Sequence, residues 1–191
     1  MEQQLELLGR DPTQHNVFFA ALPDAQMKVC TAGTAFDACQ RLRLSATPIA
    51  PERLHVSLLC VGGFSGSCPP TIMDAALRAA GTVSMAAFRV EFDRVASFSG
   101  GQGKRALVLT SEGDGVAGLS KLQEALKHAL MKAGLRLPRQ PGDRPHLTML
   151  YDEKRTDDFA IPPIGWTVSR FVLVDSLFGQ SRHVHLGQWD L

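Results

Sequence analysis

Long apolar runs are missing from this sequence of 191 residues. The longest, at about 16–22, is far shorter than the roughly 18 apolar residues that suggest a membrane span. The opening residues, Met-Glu-Gln-Gln-Leu-Glu, lack the basic and apolar regions of a secretory signal. We therefore expect a cytoplasmic protein with no membrane partner.

An excess of charge of one sign is also missing. The chain has 20 Lys and Arg residues against 19 Asp and Glu residues, a formal net charge of +1. This balance gives no strong field for wrapping a long phosphate backbone. A small substrate, or only the end of a nucleic acid, fits it better.

Cysteine is sparse and unpatterned. None of the four cysteines forms a C-x-x-C pair, so we expect neither a zinc site nor a disulfide framework. With 45% hydrophobic and 20% charged residues, the composition is that of an ordinary globular protein, and the length suits one domain. The cysteines are Cys30, Cys39, Cys60 and Cys68.

Local patterns predict an α+β protein with antiparallel sheet. Residues 1–15 show no periodicity and are expected to form a flexible arm before one domain at 16–191. Because hairpins are mixed with helices, strict βαβ alternation is not expected. Helices are predicted at about 23–44, 69–81 and 116–133, and strands at 17–22, 54–61, 88–98, 105–110, 146–151, 167–176 and 183–189.

Two histidines occur in matching contexts, RLHVSLL at 53–59 and RPHLTML at 144–150. They are 91 residues apart (146 − 55). Because side chains alternate faces along a strand, His55 shares a face with Ser57, and His146 shares one with Thr148. Each copy therefore presents one imidazole and one hydroxyl together.

Two such pairs, facing each other, would supply what phosphodiester hydrolysis needs: a base for water, an acid for the leaving oxygen and donors for the phosphoryl oxygens. Histidine suits both proton-transfer roles, since its reference pKa is about 6.5. One isolated copy is more typical of an ordinary strand histidine. The duplication favours a functional pair, but the two motifs are too alike to assign acid and base.

With these motifs the sequence resembles the two-histidine phosphoesterase superfamily, and more closely its bacterial RNA 2′,3′-cyclic phosphodiesterases, often called 2′-5′ RNA ligases. The resemblance extends from Val17 to Leu191 and includes VFFAALP at the start and FVLVDS and HVHLGQWDL at the end. It implies a bilobal fold of two antiparallel sheets with pseudo-two-fold symmetry, flanked by helices, with both motifs in the groove between lobes. It also implies that no metal or other cofactor is required.

The resemblance further implies the roles of the motif residues. His55 is expected to be the proton donor to the 3′ oxygen, and His146 the proton acceptor that activates water. Ser57 and Thr148 are expected to bind the phosphate, Ser57 standing where threonine is commoner.

Several other residues are candidates for substrate contact. Phe18 or Phe19 could line a nucleotide pocket, although both also suit a core strand. Tyr151 stands where relatives usually carry arginine, and it could stack on a base instead. Arg144 directly precedes the second motif. At position 183, where relatives often have tyrosine, this chain has His183.

A basic segment leads into the second motif. It is either a track for an RNA backbone or a solvated helix face followed by a solvated loop. Asp143 is its only acidic member after Lys127. Its basic residues are Lys127, Lys132, Arg136, Arg139 and Arg144.

Two further patterns are interpreted conservatively. His183 and His185 share one strand face and could form a metal pair, but a surface or groove-facing pair is the better interpretation. The segment 99–104, SGGQGK, lacks the spacing of a phosphate-binding loop and is predicted to connect a hairpin.

The expected activity is metal-independent hydrolysis of a 2′,3′-cyclic phosphate, at an RNA 3′ end, to a 2′-phosphomonoester, with possible reverse 2′-5′ ligation. Two alternatives remain. The same site could act on a small cyclic nucleotide, such as a 2′,3′-cyclic mononucleotide or ADP-ribose cyclic phosphate. The chain could also be an RNA-binding module without turnover. No obligate protein partner is inferred.

Overall fold

The computed structural model describes residues 14–99, 103–140, 144–177, 180 and 182–191. Its helices are α1 (Ala25–Leu42), α2 (Pro70–Ala80) and α3 (Ala117–Lys132). Its strands are β1 (Gln14–Ala21), β2 (Val56–Ser65), β3 (Phe88–Ser99), β4 (Arg105–Thr110), β5 (Leu147–Asp152), β6 (Phe159–Val168), β7 (Arg170–Leu177) and β8 (Arg182–Asp190).

The start of the domain and the glycine-rich hairpin fall partly outside the described residues. β1 begins at Gln14, two residues before the expected boundary, and residues 1–13 of the expected arm are outside. β3 and β4 pair as the predicted hairpin, with Phe98 opposite Ala106. Positions 100–102 of the connecting loop are not described.

The strands form an antiparallel sheet in the order β6-β3-β4-β5-β2-β1-β7-β8, which confirms the α+β class. Two four-stranded halves meet where β5 and β2 pair through Val56 and Leu147. The halves therefore belong to one eight-stranded sheet rather than to two separate ones. Because only Ser169 separates β6 from β7, the sheet must curve until these strand ends lie together.

The chain repeats itself across this junction. β1 and β4 begin at Gln14 and Arg105, and β2 and β5 begin at Val56 and Leu147, both 91 residues apart (105 − 14; 147 − 56). Each repeat is a strand, a helix and a motif strand. The spacing of the two motif histidines is therefore the spacing of two structural halves, as the pseudo-symmetry predicts.

All three helices contribute to one main core on the same face of the sheet. In α3 the four leucines predicted from their spacing, Leu119, Leu122, Leu126 and Leu130, are fully buried. No described helix is both long and apolar enough to cross a bilayer.

The opposite face, here called the open face, carries two small buried clusters separate from the main core. Ala20, Val172 and Val174 form the first cluster, with Phe18 packed against it. Ala96, Ala106 and Val108 form the second, with Phe98 packed against it. No residue of the three helices belongs to either of these clusters, so the helices leave the open face uncovered.

The sequence did not predict strand β6 as a separate element. The predicted strand 167–176 combined the last two residues of β6 with most of β7. Pro162, Pro163 and Gly165 interrupt the pattern expected of a strand. β6 is an edge strand, where a proline with no N–H can face away from the neighbouring strand. A Cβ at position 165 would lie 1.9 Å from the Val90 carbonyl oxygen, so only glycine permits this close pairing. The predicted strand 167–176 is therefore wrong: a break at Ser169 divides it.

Candidate active site

Backbone carbonyl groups hold the two motif histidines in the same way. Nδ1 of His55 donates to the Arg53 carbonyl oxygen at 2.7 Å, and Nδ1 of His146 donates to the Arg144 carbonyl oxygen at 3.0 Å. A carbonyl oxygen can only accept, so Nδ1 carries a proton in each ring. Nε2 is thereby left for proton transfer in both copies.

The strand register brings the two motifs together. Val56 and Leu147 are paired and buried in the main core, so their chain neighbours point to the open face. In an antiparallel pair, the residue before one partner lies opposite the residue after the other. His55 is therefore on the side of Thr148, and His146 on the side of Ser57. Two imidazoles and two hydroxyls surround the junction of the two halves.

Each motif strand contains a β-bulge directly after its hydroxyl residue. In β2, Ser57 pairs with Ala20 but Leu59 pairs with Phe19, so Leu58 is an extra residue. In β5 the extra residue is Met149, because Thr148 and Leu150 pair with consecutive residues of β4. Leu58 and Met149 are again 91 residues apart (149 − 58). A bulge of this kind re-aims the side chains that follow it.

The bulges bring a third residue of each strand to the open face. Cys60 pairs with Phe18, which packs against the first cluster of the open face. Tyr151 pairs with Ala106, which belongs to the second cluster. Simple alternation from Thr148 would have turned position 151 into the core. The ring of Tyr151 is instead half exposed beside the second motif.

Aromatic rings frame both histidines. The Phe18 ring centroid lies 5.1 Å from that of His55, and the Phe98 ring centroid lies 5.0 Å from that of His146. His183 from β8 adds a T-shaped contact to His55, with ring centroids 5.2 Å apart. Each of the two imidazoles is thus held by one carbonyl group and contacts at least one ring.

The electrostatic environment of the first motif favours neutral imidazoles. Burial lowers the pKa of His55, and the charges of Arg53 and of a protonated His146 lower it further, against an opposing effect of the hydrogen bond to the Arg53 carbonyl. The pKa of His183 is lowered to about 4, first by burial and then by His55, Arg53 and His185. The neutral form is therefore favoured in both rings.

One of the two phenylalanine candidates was wrong. Phe19 is completely buried in the main core, where its ring contacts Phe171 and Trp189, so it does not reach the open face. Phe18 points the other way, towards His55 and His183. Strand alternation alone separates the two neighbouring phenylalanines.

Two residues of the site were missed from the sequence. Arg53 was visible there, because the repeat includes an arginine two residues before each histidine. The Arg53 side chain is half-buried and its Nε has no hydrogen-bond partner among the described residues, whereas the Arg144 side chain is exposed. Phe98 had no signal beyond the alternation of its strand.

A metal site does not emerge from the part of the chain that the structure describes. There, no three His, Cys, Asp or Glu side chains form a group that could hold an ion. His183 and His185 lie on β8, with His183 against His55. All four cysteines are free thiols.

Two loops cross between the halves beside the site. The Ile49 amide donates to the Met149 carbonyl oxygen at 2.7 Å, so the loop before the first motif binds the strand of the second. The side-chain amide of Gln140 accepts from the Cys60 N–H at 2.7 Å and donates to the Cys60 carbonyl oxygen at 3.1 Å. Ile49 and Gln140 are 91 residues apart (140 − 49), so the two loops bind the opposite motif strands at equivalent positions of the internal repeat.

Comparison with known proteins gives both a family and a set of similar folds. The model of the 2′-5′ RNA ligase superfamily matches residues 32–179. The apo structure of Escherichia coli LigT is 22% identical, with a TM-score of 0.69, and the match covers 94% of this chain and 98% of that one. LigT complexed with 3′-AMP is 21% identical, with a TM-score of 0.69 and coverage of 93% and 98%.

A third similar structure is TT0787 of Thermus thermophilus, with 21% identity and a TM-score of 0.67. That match covers 92% of this chain and 97% of TT0787. No curated protein matches the chain by sequence. At these identities the solved structures support the fold alone.

Proposed function

The chain belongs to the 2′-5′ RNA ligase superfamily, and we propose that it hydrolyses a 2′,3′-cyclic phosphate at an RNA 3′ end to a 2′-phosphomonoester. The observation that carries the proposal is the pairing of the two motifs at the junction of the halves. In each motif the Nδ1 atom of the histidine is bound to a backbone carbonyl group, and the hydroxyl residue two positions later lies on the open face. This pairing supports a site with one acid, one base and two hydroxyl donors.

The proposed reaction uses both Nε2 atoms. His146 takes a proton from water as the water oxygen forms a new bond to phosphorus. The bond from phosphorus to the 3′ oxygen breaks, and that oxygen receives the proton of His55. Ser57 and Thr148 donate to the two phosphoryl oxygens, where charge increases in the transition state.

Proton release and uptake close the cycle. Hydrolysis leaves His55 neutral and His146 protonated, and His146 then releases its proton to solvent. The lowered pKa of His55 favours the neutral ring before substrate arrives. The anionic cyclic phosphate favours the protonated ring, so His55 takes up a proton from solvent when substrate binds. In a 2′-5′ ligation the same groups would act with a 5′ hydroxyl in place of water: its oxygen bonds to phosphorus, the bond to the 3′ oxygen breaks, and His55 protonates that oxygen.

The alternative of a small cyclic nucleotide rests on Tyr151. Its half-exposed ring on the open face offers a stacking surface where relatives usually carry a cation. LigT has been crystallised with the single nucleotide 3′-AMP. A 2′,3′-cyclic mononucleotide would use the same histidines, so both candidate substrates test the same chemistry.

The test replaces the histidines one at a time. His55→Gln and His146→Gln should each lower kcat by about 10²–10⁴-fold, because each removes one proton transfer. His128→Gln changes an exposed imidazole on α3 and should leave the rate unchanged. Rates are measured with a cyclic mononucleotide in EDTA, and folding is checked by thermal unfolding. If either motif variant retains the wild-type rate, the proposal is wrong.

A further inference from the structure

A cavity of about 670 Å³ lies where α3 ends and the chain turns back towards the second motif. It belongs to the basic segment that the sequence left open between an RNA track and a solvated surface. The structure folds this segment into a concave wall rather than a straight helix face. The lining residues are Lys127, Met131, Leu135, Arg136, Leu137, Pro138, Arg139 and Gln140.

The charge of this wall is all of one sign. Lys127, Arg136 and Arg139 line it, and no lining residue is acidic. Lys127 Nζ lies 3.6 Å from Glu124 Oε1, but an exposed ion pair of this kind contributes little to stability. None of the ion pairs between described residues involves Arg136 or Arg139. The two guanidinium groups are therefore placed to bind an anion from solvent.

The rest of the wall is apolar. Met131 is 57% exposed, an unusual position for a large hydrophobic side chain. Leu135 and Leu137 are half-buried beside it, and Pro138 completes the surface. Such a wall offers cations to the phosphates of a single strand and apolar area against which a base can be buried.

Hydrogen bonds connect this wall to the strand of the first motif. The Gln140 side chain binds both backbone groups of Cys60 and also donates to the Pro138 carbonyl oxygen at 2.8 Å, which shapes the loop. Gln123, one helical turn before Lys127, approaches the Ser57 carbonyl oxygen at 3.5 Å. Gln140 therefore joins the cavity wall to the motif strand three residues beyond Ser57.

We propose that this cavity binds a nucleotide of single-stranded RNA upstream of the cyclic phosphate, with its phosphate on Arg136 and Arg139 and its base on Met131 and the adjacent apolar wall. The inference rests on the proposed function and specifies its substrate as an RNA chain end. A cyclic mononucleotide has no upstream nucleotide to place in the cavity. The two substrates should therefore differ in their dependence on these arginines.

The experiment compares two substrates in the double variant Arg136→Gln/Arg139→Gln. For an oligoribonucleotide ending in a 2′,3′-cyclic phosphate, kcat/KM should fall about tenfold because KM rises while kcat stays the same. For the cyclic mononucleotide it should not change. The plot of log kcat/KM against log salt for the oligonucleotide should become shallower by about 1.4, since each phosphate contact on a single strand contributes about 0.7.

The matched control is Arg78→Gln/Arg170→Gln, which removes the same charge from exposed positions on α2 and β7. It should leave both substrates and the salt dependence unchanged. The proposal would be overturned if the cavity variant lost kcat/KM equally on both substrates, or if its kcat/KM for the oligonucleotide were unchanged.

Failure of the proposed function is distinguished by a binding measurement. If the wild type hydrolyses neither substrate, the chemistry proposed above fails, but the cavity is still tested by fluorescence anisotropy with a labelled single-stranded RNA. The cavity variant should then bind that RNA about tenfold more weakly than the wild type and the control variant. Equal affinities of all three proteins would overturn the cavity proposal.

Discussion

The residue that distinguishes the two copies of the motif is the arginine two positions before each histidine. The backbones of Arg53 and Arg144 make the same hydrogen bond, but their side chains differ in environment. Arg53 is half-buried, with its Nε shielded from solvent, and its charge lowers the pKa of His55. Arg144 is exposed. This asymmetry arises from packing and gives a means of identifying the acid and the base.

Arg53→Gln should raise the pKa of His55, because a nearby positive charge that disfavours the imidazolium is removed. If His55 is the proton donor, kcat/KM falls as His55 loses its proton. The alkaline limb of the pH profile should therefore move to higher pH while the acid limb stays in place. The measurement is kcat/KM for a cyclic mononucleotide between about pH 4 and 9, a range that contains the reference histidine pKa.

Arg144→Gln is the matched control, since it changes the equivalent position of the other motif. Movement of the acid limb in Arg53→Gln would mean that His55 is the base, and the two roles would have to be exchanged. A profile unchanged in both limbs would contradict the electrostatic effect of Arg53 on His55.

At the scale of elements, the loops that cross between the halves stabilise the motif strands. β2 and β5 pair directly at Val56 and Leu147. Beyond that point Gln140 takes the place of a neighbouring strand by binding both the N–H and the carbonyl group of Cys60. A side chain can replace a strand here because an amide carries a donor and an acceptor, as a peptide group does.

Gln140→Ala should lower the free energy of unfolding by about 1.5–4.5 kcal/mol, because three backbone groups of Cys60 and Pro138 lose hydrogen bonds worth roughly 0.5–1.5 kcal/mol each. Urea unfolding measures the change. Gln26→Ala, which removes only a weak exposed contact to the Cys30 sulfur, is the control and should change stability little. A Gln140→Ala variant as stable as the control would show that water replaces these bonds.

The elements that the sequence predicts well are those with a long regular pattern. The leucines of α3 indicated the helix and its buried face, and the alternation of β3 indicated its strand. β6 was missed because an edge strand tolerates prolines and a glycine that local rules interpret as a turn. The bulges at Leu58 and Met149 were also missed, since their signature is the pairing register of two strands.

For the whole molecule, the internal repeat explains why so much of the candidate site could be predicted. The 91-residue spacing indicated two half-domains, and the structure shows the same spacing in strands, bulges and crossing loops. The repeat could not reveal what differs between the halves. The ring contact of His183 with His55, the Phe98 contact with His146 and the cavity after α3 all depend on packing between distant segments.

The proposed chemistry requires two histidines, one from each half, to act together on one cyclic phosphate. Chromatographic identification of the product tests this requirement, with a short RNA ending in a 2′,3′-cyclic phosphate incubated in EDTA with wild type or His146→Ala. We expect a 2′-phosphomonoester from the wild type and none from the variant in the same time. A 3′-phosphate product, equal conversion by the variant, or a wild type that leaves the cyclic end intact would show that the two histidines do not act in this way.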